Sequence, residues 1–169
     1  ETFWRPPVLE TLKIKNIAVI NEAEVPFSEG LNILSGETGA GKSIVIEAIS
    51  LILGSRASGE LIRTGCDEAV IEGLFRLEDL PWMKVRLNDA GFSPDGDELL
   101  IRRVVSRNGK HKIYINGSLA TLSQLQMVCE GLVDLCGQHE HQSLLRSGTQ
   151  IELLDRYGGI TKDADVFET

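Results

Sequence analysis

The residue types best suited to chemistry lie in one stretch, Gly36 to Ser43, with the sequence GETGAGKS. Its spacing satisfies the G-x-x-x-x-G-K-[ST] pattern of a phosphate-binding loop. Glycines let the backbone curl tightly and aim successive N–H groups at phosphate oxygens. Lys42 can bring an ammonium to the β- and γ-phosphates, and the Ser43 hydroxyl can ligate magnesium. The stretch therefore predicts binding of ATP or a similar nucleoside triphosphate with Mg²⁺. The predicted contacts come from Gly36, Glu37, Thr38, Gly39, Ala40, Gly41, Lys42 and Ser43.

Such a loop must be positioned by a strand before it and a helix after it. Gly30 to Leu34 have the apolar character of a short buried strand. Ile44 to Leu53 are apolar enough to predict a fully buried helix, and Gly54 is placed to end it. The N-terminus of this helix would add N–H groups and a favourable dipole to the phosphate site.

The segments around this unit predict strands. From Val8 to Phe27 apolar and polar residues alternate, which predicts two half-buried antiparallel strands joined near Lys15-Asn16. A polar loop at 54–59 contains one arginine, Arg56. Ala69 to Phe75 alternate again and predict another strand.

The middle of the chain predicts a short helix and a basic hairpin. The helix is expected around Trp82 to Ala90, followed by a turn at 94–97. Leu99 to Ser106 and His111 to Ile115 would pair through a type I′ turn at Asn108-Gly109, and Asn116-Gly117 would form a second turn. The basic residues of this hairpin are Arg102, Arg103, Arg107, Lys110, His111 and Lys112. They are either a solvated charged face or a contact surface for nucleic-acid phosphates.

The last third predicts a helix, a strand and a polar loop. Thr121 and Gln124 form a capping box for a helix from Leu122 to about Gly131. Leu132 to Cys136 are typical of a central strand, and the polar loop 137–142, GQHEHQ, follows it.

Two interpretations of this polar loop are open. His139 and His141 could ligate a metal ion, although their spacing alone indicates this weakly. Alternatively, the neutral amide of Gln138, at the end of a strand, could offer its carbonyl to the magnesium ion and sense the γ-phosphate.

Composition limits the class of protein. The chain has 169 residues, 42% hydrophobic and 25% charged, which is typical of one soluble globular domain. A net charge of -8 argues against a uniformly basic surface but not against a local basic patch. No membrane span or signal peptide is recognisable, so a cytoplasmic location is expected. The three cysteines have no metal-binding spacing and are expected to be reduced.

Four segments carry a family resemblance: LKIKNIAVI, GLNILSGETGAGKSIVIEAISLILGSRA, NGKHKIYINGSLATLSQL and GQHEHQSLL. Together they resemble the N-terminal head segment of the RecN family of bacterial DNA repair proteins, which is SMC-like and belongs to the ABC ATPase class. The resemblance extends from Leu9 to Tyr157, and the GQHEHQ loop is its most specific part.

The resemblance implies an α/β fold of the P-loop NTPase type, the N-terminal lobe of an ABC/SMC-type head with a mixed sheet and an antiparallel side sheet. It implies that Lys42 stabilises phosphates, that Ser43 and Gln138 ligate Mg²⁺, and that Gln138 is the Q-loop sensor. It also implies that Arg56 lies close to the nucleotide. Residues 1–7 would be a leader or cloning remnant, 8–159 the lobe, and 160–169 the start of a linker toward a coiled coil.

The leading hypothesis from the sequence is therefore the ATP-binding lobe of an SMC-like ATPase in recombinational repair of DNA double-strand breaks. The signature segment, Walker B carboxylates and switch histidine are expected in a C-terminal lobe, so no complete catalytic set lies in this chain. The expected partners are that lobe, a second head, and DNA, with the 102–112 hairpin as a candidate contact. The alternatives are a self-contained P-loop small-molecule kinase and a nucleic-acid-binding module with a vestigial P-loop.

Overall fold

The computed structural model describes residues 8–36, 41–78, 80–94, 96–133 and 135. The chain divides into two units, Glu1–Val133 and Asp134–Thr169, and the fold described here is that of the first. Gln138, His139 and His141 lie outside the described residues.

The described fold is a six-stranded antiparallel sheet with three helices. The sheet order is β2-β1-β3-β4-β5-β6. In chain order the elements are β1 (Val8–Ile17), β2 (Ile20–Pro26), α1 (Lys42–Ile52), a short 3₁₀ turn (Gly59–Leu61), β3 (Glu68–Arg76), α2 (Pro81–Asp89), β4 (Glu98–Ser106), β5 (Lys112–Ile115), β6 (Ser118–Ala120) and α3 (Leu122–Cys129). The predicted antiparallel strands and helices are thus present with small shifts at their ends.

One face of the sheet forms the core. Because side chains alternate along a strand, every second residue of β1, β3 and β4 points to the same face. The apolar residues of this face are fully buried and include Leu12, Ile14, Ile71, Phe75, Leu99 and Ile101. Helix α1 packs on β1, β3 and β4, and α3 packs on β5 and α2. A Cβ at Gly73 would lie 2.4 Å from Ile52 Cδ1, so this glycine allows α1 to approach β3 closely.

The first hairpin turns later than predicted. Lys15 still pairs with Glu22, and the turn consists of Ala18 and Val19 between Ile17 and Ile20. The prediction of a turn at Lys15-Asn16 is therefore wrong. Both Asn16 and Ala18 have positive φ, 57° and 47°, which lets the strand bend without losing the ladder before it.

Helix α1 is only partly buried, which corrects the prediction of a fully buried helix. Val45, Ala48 and Ile52 are buried, whereas Ile46 is 50% exposed. The second half of the helix, residues 48–52, is buried on all sides. In the first half the sheet covers one side only, so Ile46 faces solvent although it is apolar.

The segment before the phosphate-binding loop also departs from prediction. Residues 30–34 are not in a strand, and Leu31 and Ile33 are 87% and 77% exposed. Asn32 instead bonds locally, since its Oδ1 accepts from Ser28 N at 2.9 Å. Nothing in the described sheet pairs with this segment, so its apolar side chains have no layer to pack against.

Two later turns differ in type. In Asn108-Gly109 only the glycine has positive φ, and its N–H donates to Ser106 O at 3.0 Å, so the predicted type I′ turn is wrong there. Asn116 and Gly117 both have positive φ, 46° and 77°, as a type I′ turn requires. The predicted strand over Leu132 to Cys136 is also absent from its described part: Leu132 lies in the turn after α3 and bonds to Cys129 O.

Candidate nucleotide-binding site

The N-terminus of α1 is shaped by Gly41. This residue is the N-cap, is buried, and has φ 96°, a conformation that favours glycine. Its carbonyl accepts from Ile44 N and Val45 N at 3.0 and 3.1 Å. No side chain caps this end and the first turn has no acidic residue, within the part of the chain described. Its N–H groups and dipole can therefore serve an anion.

Lys42 and Ser43 begin this helix. The Nζ of Lys42 donates to the carbonyl of Gly36, so the ammonium bridges the two ends of the GETGAGKS loop. Ser43 lies in the first turn with an exposed side chain, as a magnesium ligand requires. Phosphate oxygens could take the place of the Gly36 carbonyl on Lys42. Glu37, Thr38, Gly39 and Ala40 lie outside the described residues.

The tip of the first hairpin lies beside the same loop. A Cβ at Gly41 would be 3.6 Å from Ile20 Cδ1. The Ile20 side chain therefore packs next to the N-terminus of α1. Val19, one residue earlier, is 68% exposed.

The other end of α1 is held by three side chains from β4 and α3. Arg103 Nη1 donates to Leu51 O at 2.6 Å and to Ser55 O at 2.5 Å. Gln126 Nε2 donates to Gly54 O at 2.9 Å, and Cys129 Sγ lies 3.6 Å from Ile52 O. These bonds add donors to the carbonyls at the C-terminus of the helix, where Leu51 O also accepts from Gly54 N at 3.2 Å. The sheet and α3 thereby fix the axis of the helix that carries Lys42.

Burial changes the pKa of two of these groups in opposite directions. Arg103 is 2% exposed, and burial lowers the pKa of its guanidinium. For Cys129, burial is the main cause that raises the pKa of the thiol to about 12, with a smaller opposing effect from Arg86. Cys129 is therefore a neutral packing residue.

Arg56 is exposed in the loop after α1 and follows Ser55, the residue that Arg103 holds. Lys42 and Ser43 lie at the opposite end of an 11-residue helix. Such a helix is about 16 Å long. No described contact joins Arg56 to the phosphate-binding loop, so its predicted role at the nucleotide stays a prediction.

Most of the basic hairpin has structural partners. Arg102 forms an ion pair with Glu72 at 3.1 Å, and Arg103 is buried against α1. Arg107 donates to the carbonyls of Cys66, Ile62 and Arg63, and so holds the loop before β3. Lys110 and Lys112 are exposed and remain available for a phosphate contact.

A depression of about 490 Å³ lies on the outer face of the sheet, opposite α1. Its lining mixes acidic, basic and apolar side chains: Glu68, Glu72, Leu100, Arg102, Val104, Lys112, Tyr114 and Gly117. The sheet separates it from Lys42, and its carboxylates do not suit a polyphosphate. In the described ranges, no group of three or more His, Cys, Asp or Glu could hold a metal ion.

The fold and this helix N-terminus define a P-loop nucleotide-binding protein. The chain belongs to the AAA domain family, whose model matches residues 11–152. It is 45% identical over 152 residues to the DNA repair protein RecN of Halalkalibacterium halodurans, covering 90% of this chain and 27% of that protein. It is 41% identical to RecN of Bacillus subtilis, covering 90% and 26%. The chain thus spans about a quarter of the length of these relatives, and the predicted RecN resemblance is confirmed.

Solved structures give the same fold. A structure from a study of ATP-driven dimerisation and DNA-stimulated activation of SMC ATPases matches with a TM-score of 0.60 and 27% identity. The match covers 73% of this chain and 78% of that one. The predicted ABC/SMC-type head fold is therefore confirmed. Among the described residues, no helix has the length and apolar character needed to cross a membrane.

Proposed function

We propose that this chain is the ATP-binding lobe of an SMC-like ATPase that acts in recombinational repair of DNA double-strand breaks. The observation that carries the proposal is the start of α1, where Gly41 leaves the helix N-terminus uncapped and Lys42 reaches back to Gly36. This arrangement suits the β- and γ-phosphates of ATP. The similarity to RecN supports the repair role.

Each proposed site residue has one task. Lys42 would stabilise the negative charge of the phosphates, and Ser43 would offer its hydroxyl to Mg²⁺. Gln138 would complete the ion's contacts and report the γ-phosphate, and Arg56 would approach the nucleotide from the loop after α1. The bound Mg²⁺ would neutralise phosphate charge.

The remainder of the active site would come from another part of the longer protein. The exposed Leu31, Ile33 and Leu34 support this, because a group of exposed apolar side chains marks a surface that another part of a protein can cover. A second head would then bind over the ATP. Hydrolysis of the ATP would separate the two heads. The chain alone would hydrolyse ATP negligibly, because the Walker B carboxylates and the signature segment are expected in a C-terminal lobe.

The proposed function is tested with the 169-residue chain, Mg²⁺ and a fluorescent ATP analogue. We expect saturable binding by the wild type, a loss of at least about tenfold in Lys42→Ala, since a charge-assisted contact is removed, and no change in Lys110→Ala. ATP turnover should stay at the level of the buffer blank. Robust turnover that Lys42→Ala abolishes would contradict the lobe assignment. Phosphate transfer to a small acceptor would instead favour a kinase.

DNA binding is a separate part of the proposal. If DNA contacts this lobe through the 102–112 hairpin, the exposed Lys110 and Lys112 are the best candidates, because Arg103 and Arg107 are engaged within the fold and Arg102 is paired with Glu72. Lys110→Gln with Lys112→Gln should then weaken DNA binding and reduce its salt dependence. DNA binding that needs no nucleotide, together with failure to bind ATP, would favour the vestigial P-loop instead.

A further inference from the structure

We propose that the free edge of β2 is a docking site for an extended protein segment that carries lysine or arginine at alternate positions and adds to the sheet as a further strand. Strand β2 ends the sheet: it pairs with β1 on one side, and no described strand pairs with its other side. Its seven residues are enough for such an addition, in which main-chain hydrogen bonds hold the segment and side chains select it. This surface is separate from the nucleotide site and does not depend on nucleotide binding.

The end of β2 shows how its ladder with β1 is bonded. Pro26 lies opposite Thr11 but has no N–H group to donate. Phe27 N, one residue later, donates to Glu10 O at 2.8 Å. The pair of Thr11 and Pro26 is therefore of the non-hydrogen-bonded kind, with its bonds on either side of it.

This assignment identifies the backbone groups that face the free edge. The two kinds of pair alternate along an antiparallel ladder, and the register is continuous from Pro26 to Glu22. Val25 and Ala23 therefore exchange hydrogen bonds with β1. The N–H and C=O groups of Glu24 and Glu22 point away from β1, where an added strand can reach them.

The side chains of the same two glutamates select the charge of the segment. Arg102, Glu72, Lys13 and Glu24 are successive cross-strand partners on the outer face of four neighbouring strands. Arg102 is paired with Glu72 at 3.1 Å and Lys13 with Glu24 at 3.6 Å. Opposite charges on neighbouring strands stabilise a sheet, and like charges destabilise it. The alternation of sign across the sheet therefore favours a cation opposite Glu24 on an added strand.

A second row of side chains gives the same result and sets the spacing. Lys15 lies opposite Glu22, so the next strand should also carry a cation there. The two glutamates are two positions apart, which requires cations two positions apart on the segment. The residue between them would point to the inner face, where Ala23 and Val25 are half-buried, so an apolar side chain fits best.

A second copy of β2 does not fit this edge. In an antiparallel pairing about a two-fold axis, residues whose backbone groups face the edge pair with one another. Glu22 would then lie opposite Glu22 or Glu24 of the other copy, or Glu24 opposite Glu24. Each of these registers puts two carboxylates directly opposite on the outer face, which destabilises the pairing. The glutamates thus discourage self-association and favour a basic segment.

The test uses the 169-residue chain labelled with nitrogen-15 and two acetylated, amidated peptides, TVKVKVT and TVEVEVT. Amide chemical shifts and hydrogen exchange locate the bound peptide, and titrations at two salt concentrations give its affinity. The double variant Glu22→Gln with Glu24→Gln removes both charges from the edge. The double variant Glu47→Gln with Glu60→Gln is the matched control, because both of these glutamates are exposed and lie outside the sheet.

We expect the wild type to bind TVKVKVT about tenfold more tightly than TVEVEVT, with a preference that falls as salt rises. Binding should slow hydrogen exchange at the amides of Glu22 and Glu24. The amides of Ala23 and Val25 should change little, because they are already bonded to β1. The edge variant should bind the two peptides alike, and the control variant should keep the preference of the wild type.

Three results would overturn the inference. The first is equal binding of the two peptides by the wild type, or binding that leaves the amides of Glu22 and Glu24 unprotected. The second is no binding of either peptide, which would reduce the glutamates to protection of a sheet edge. The third is protection of these amides without peptide that increases with protein concentration, because it would assign the edge to a second copy.

Discussion

Arg103 Nη1 lies 2.6 Å from the carbonyl oxygen of Leu51, in a buried hydrogen bond between residues 52 positions apart in the sequence. The same nitrogen also donates to Ser55 O. A cation at the C-terminus of a helix is favoured by the helix dipole. The Arg103 Nε is buried without a hydrogen-bond partner in the described structure, so this contact carries a desolvation cost. Strand β4 thereby fixes the far end of the helix that presents Lys42.

Replacement of Arg103 by methionine should destabilise the fold. Methionine can fill the apolar space but leaves Ser55 O without the Arg103 donor and Leu51 O with Gly54 N alone, which should cost about 2–4 kcal/mol in free energy of unfolding. The measurement is urea denaturation followed by circular dichroism. Arg102→Met is the matched control, since that side chain is half exposed and its ion pair with Glu72 is worth about 0–1 kcal/mol. Equal losses in the two variants would contradict the role given to Arg103.

Gly73→Ala should push α1 away from the sheet. The new Cβ would lie 2.4 Å from Ile52 Cδ1 and 3.2 Å from Phe75 Cε2, and overpacking of this kind costs about 1–3 kcal/mol. Ile52→Val removes the closest atom, so the double variant should lose less stability than the sum of the two single variants. Additive losses in a thermodynamic cycle from chemical denaturation would show that the Cβ of residue 73 does not meet Ile52.

The stability of the fold should fall at alkaline pH through Cys129. Its pKa is about 12 in the folded chain against an ordinary value of 9.0, so the folded state keeps the proton that the unfolded state releases. The contribution of the protonated Cys129 thiol to the free energy of unfolding is fully present below pH 9 and is lost as pH rises toward 12. At pH 10.5 the loss is about 2 kcal/mol. Cys129→Ala should show a flatter decline between pH 8 and 10.5 in the free energy of unfolding. Parallel pH curves for variant and wild type would contradict the prediction.

Asn116→Ala should weaken the turn between β5 and β6. The residue has φ 46°, its Oδ1 accepts from Leu100 N at 2.9 Å, and its Nδ2 donates to Ser93 O at 3.2 Å. Loss of these bonds together with left-handed strain should cost about 2 kcal/mol. Asn116→Gly should avoid the loss that comes from left-handed strain but keep the loss that comes from the two missing hydrogen bonds. Asn108→Ala is the control, and the melting temperatures of the two variants are compared. A larger decrease for Asn108→Ala than for Asn116→Ala would contradict the assignment of left-handed conformation to Asn116 rather than Asn108.

The strands and caps could be predicted where local pattern decides them. The alternation over Ala69 to Phe75 predicted β3, and Thr121 with Gln124 predicted the capping box, whose two bonds measure 3.2 and 2.9 Å. The burial of Arg103 also had a local signal, since it is in phase with Leu99 and Ile101 along β4. No local sequence pattern indicated that Leu51 is the partner of Arg103, because a contact across 52 positions depends on the register of the whole sheet.

The errors came from features that local pattern does not encode. Leu31 and Ile33 have the composition of a buried strand, but burial depends on a neighbouring layer that the described sheet does not supply. The first turn was placed too early because Lys15 and Asn16 are polar, although Lys15 keeps its place in the ladder.

The distance in sequence between Leu51 and Arg103 has a consequence for how the chain is made. A ribosome adds about 5–20 residues per second, so the helix that bears Lys42 leaves the ribosome several seconds before the strand that will hold its far end. An 11-residue helix is only marginally stable in isolation. During this interval the helix lacks the hydrogen bonds from Arg103, and they can form only after β4 has been synthesised and paired with β3.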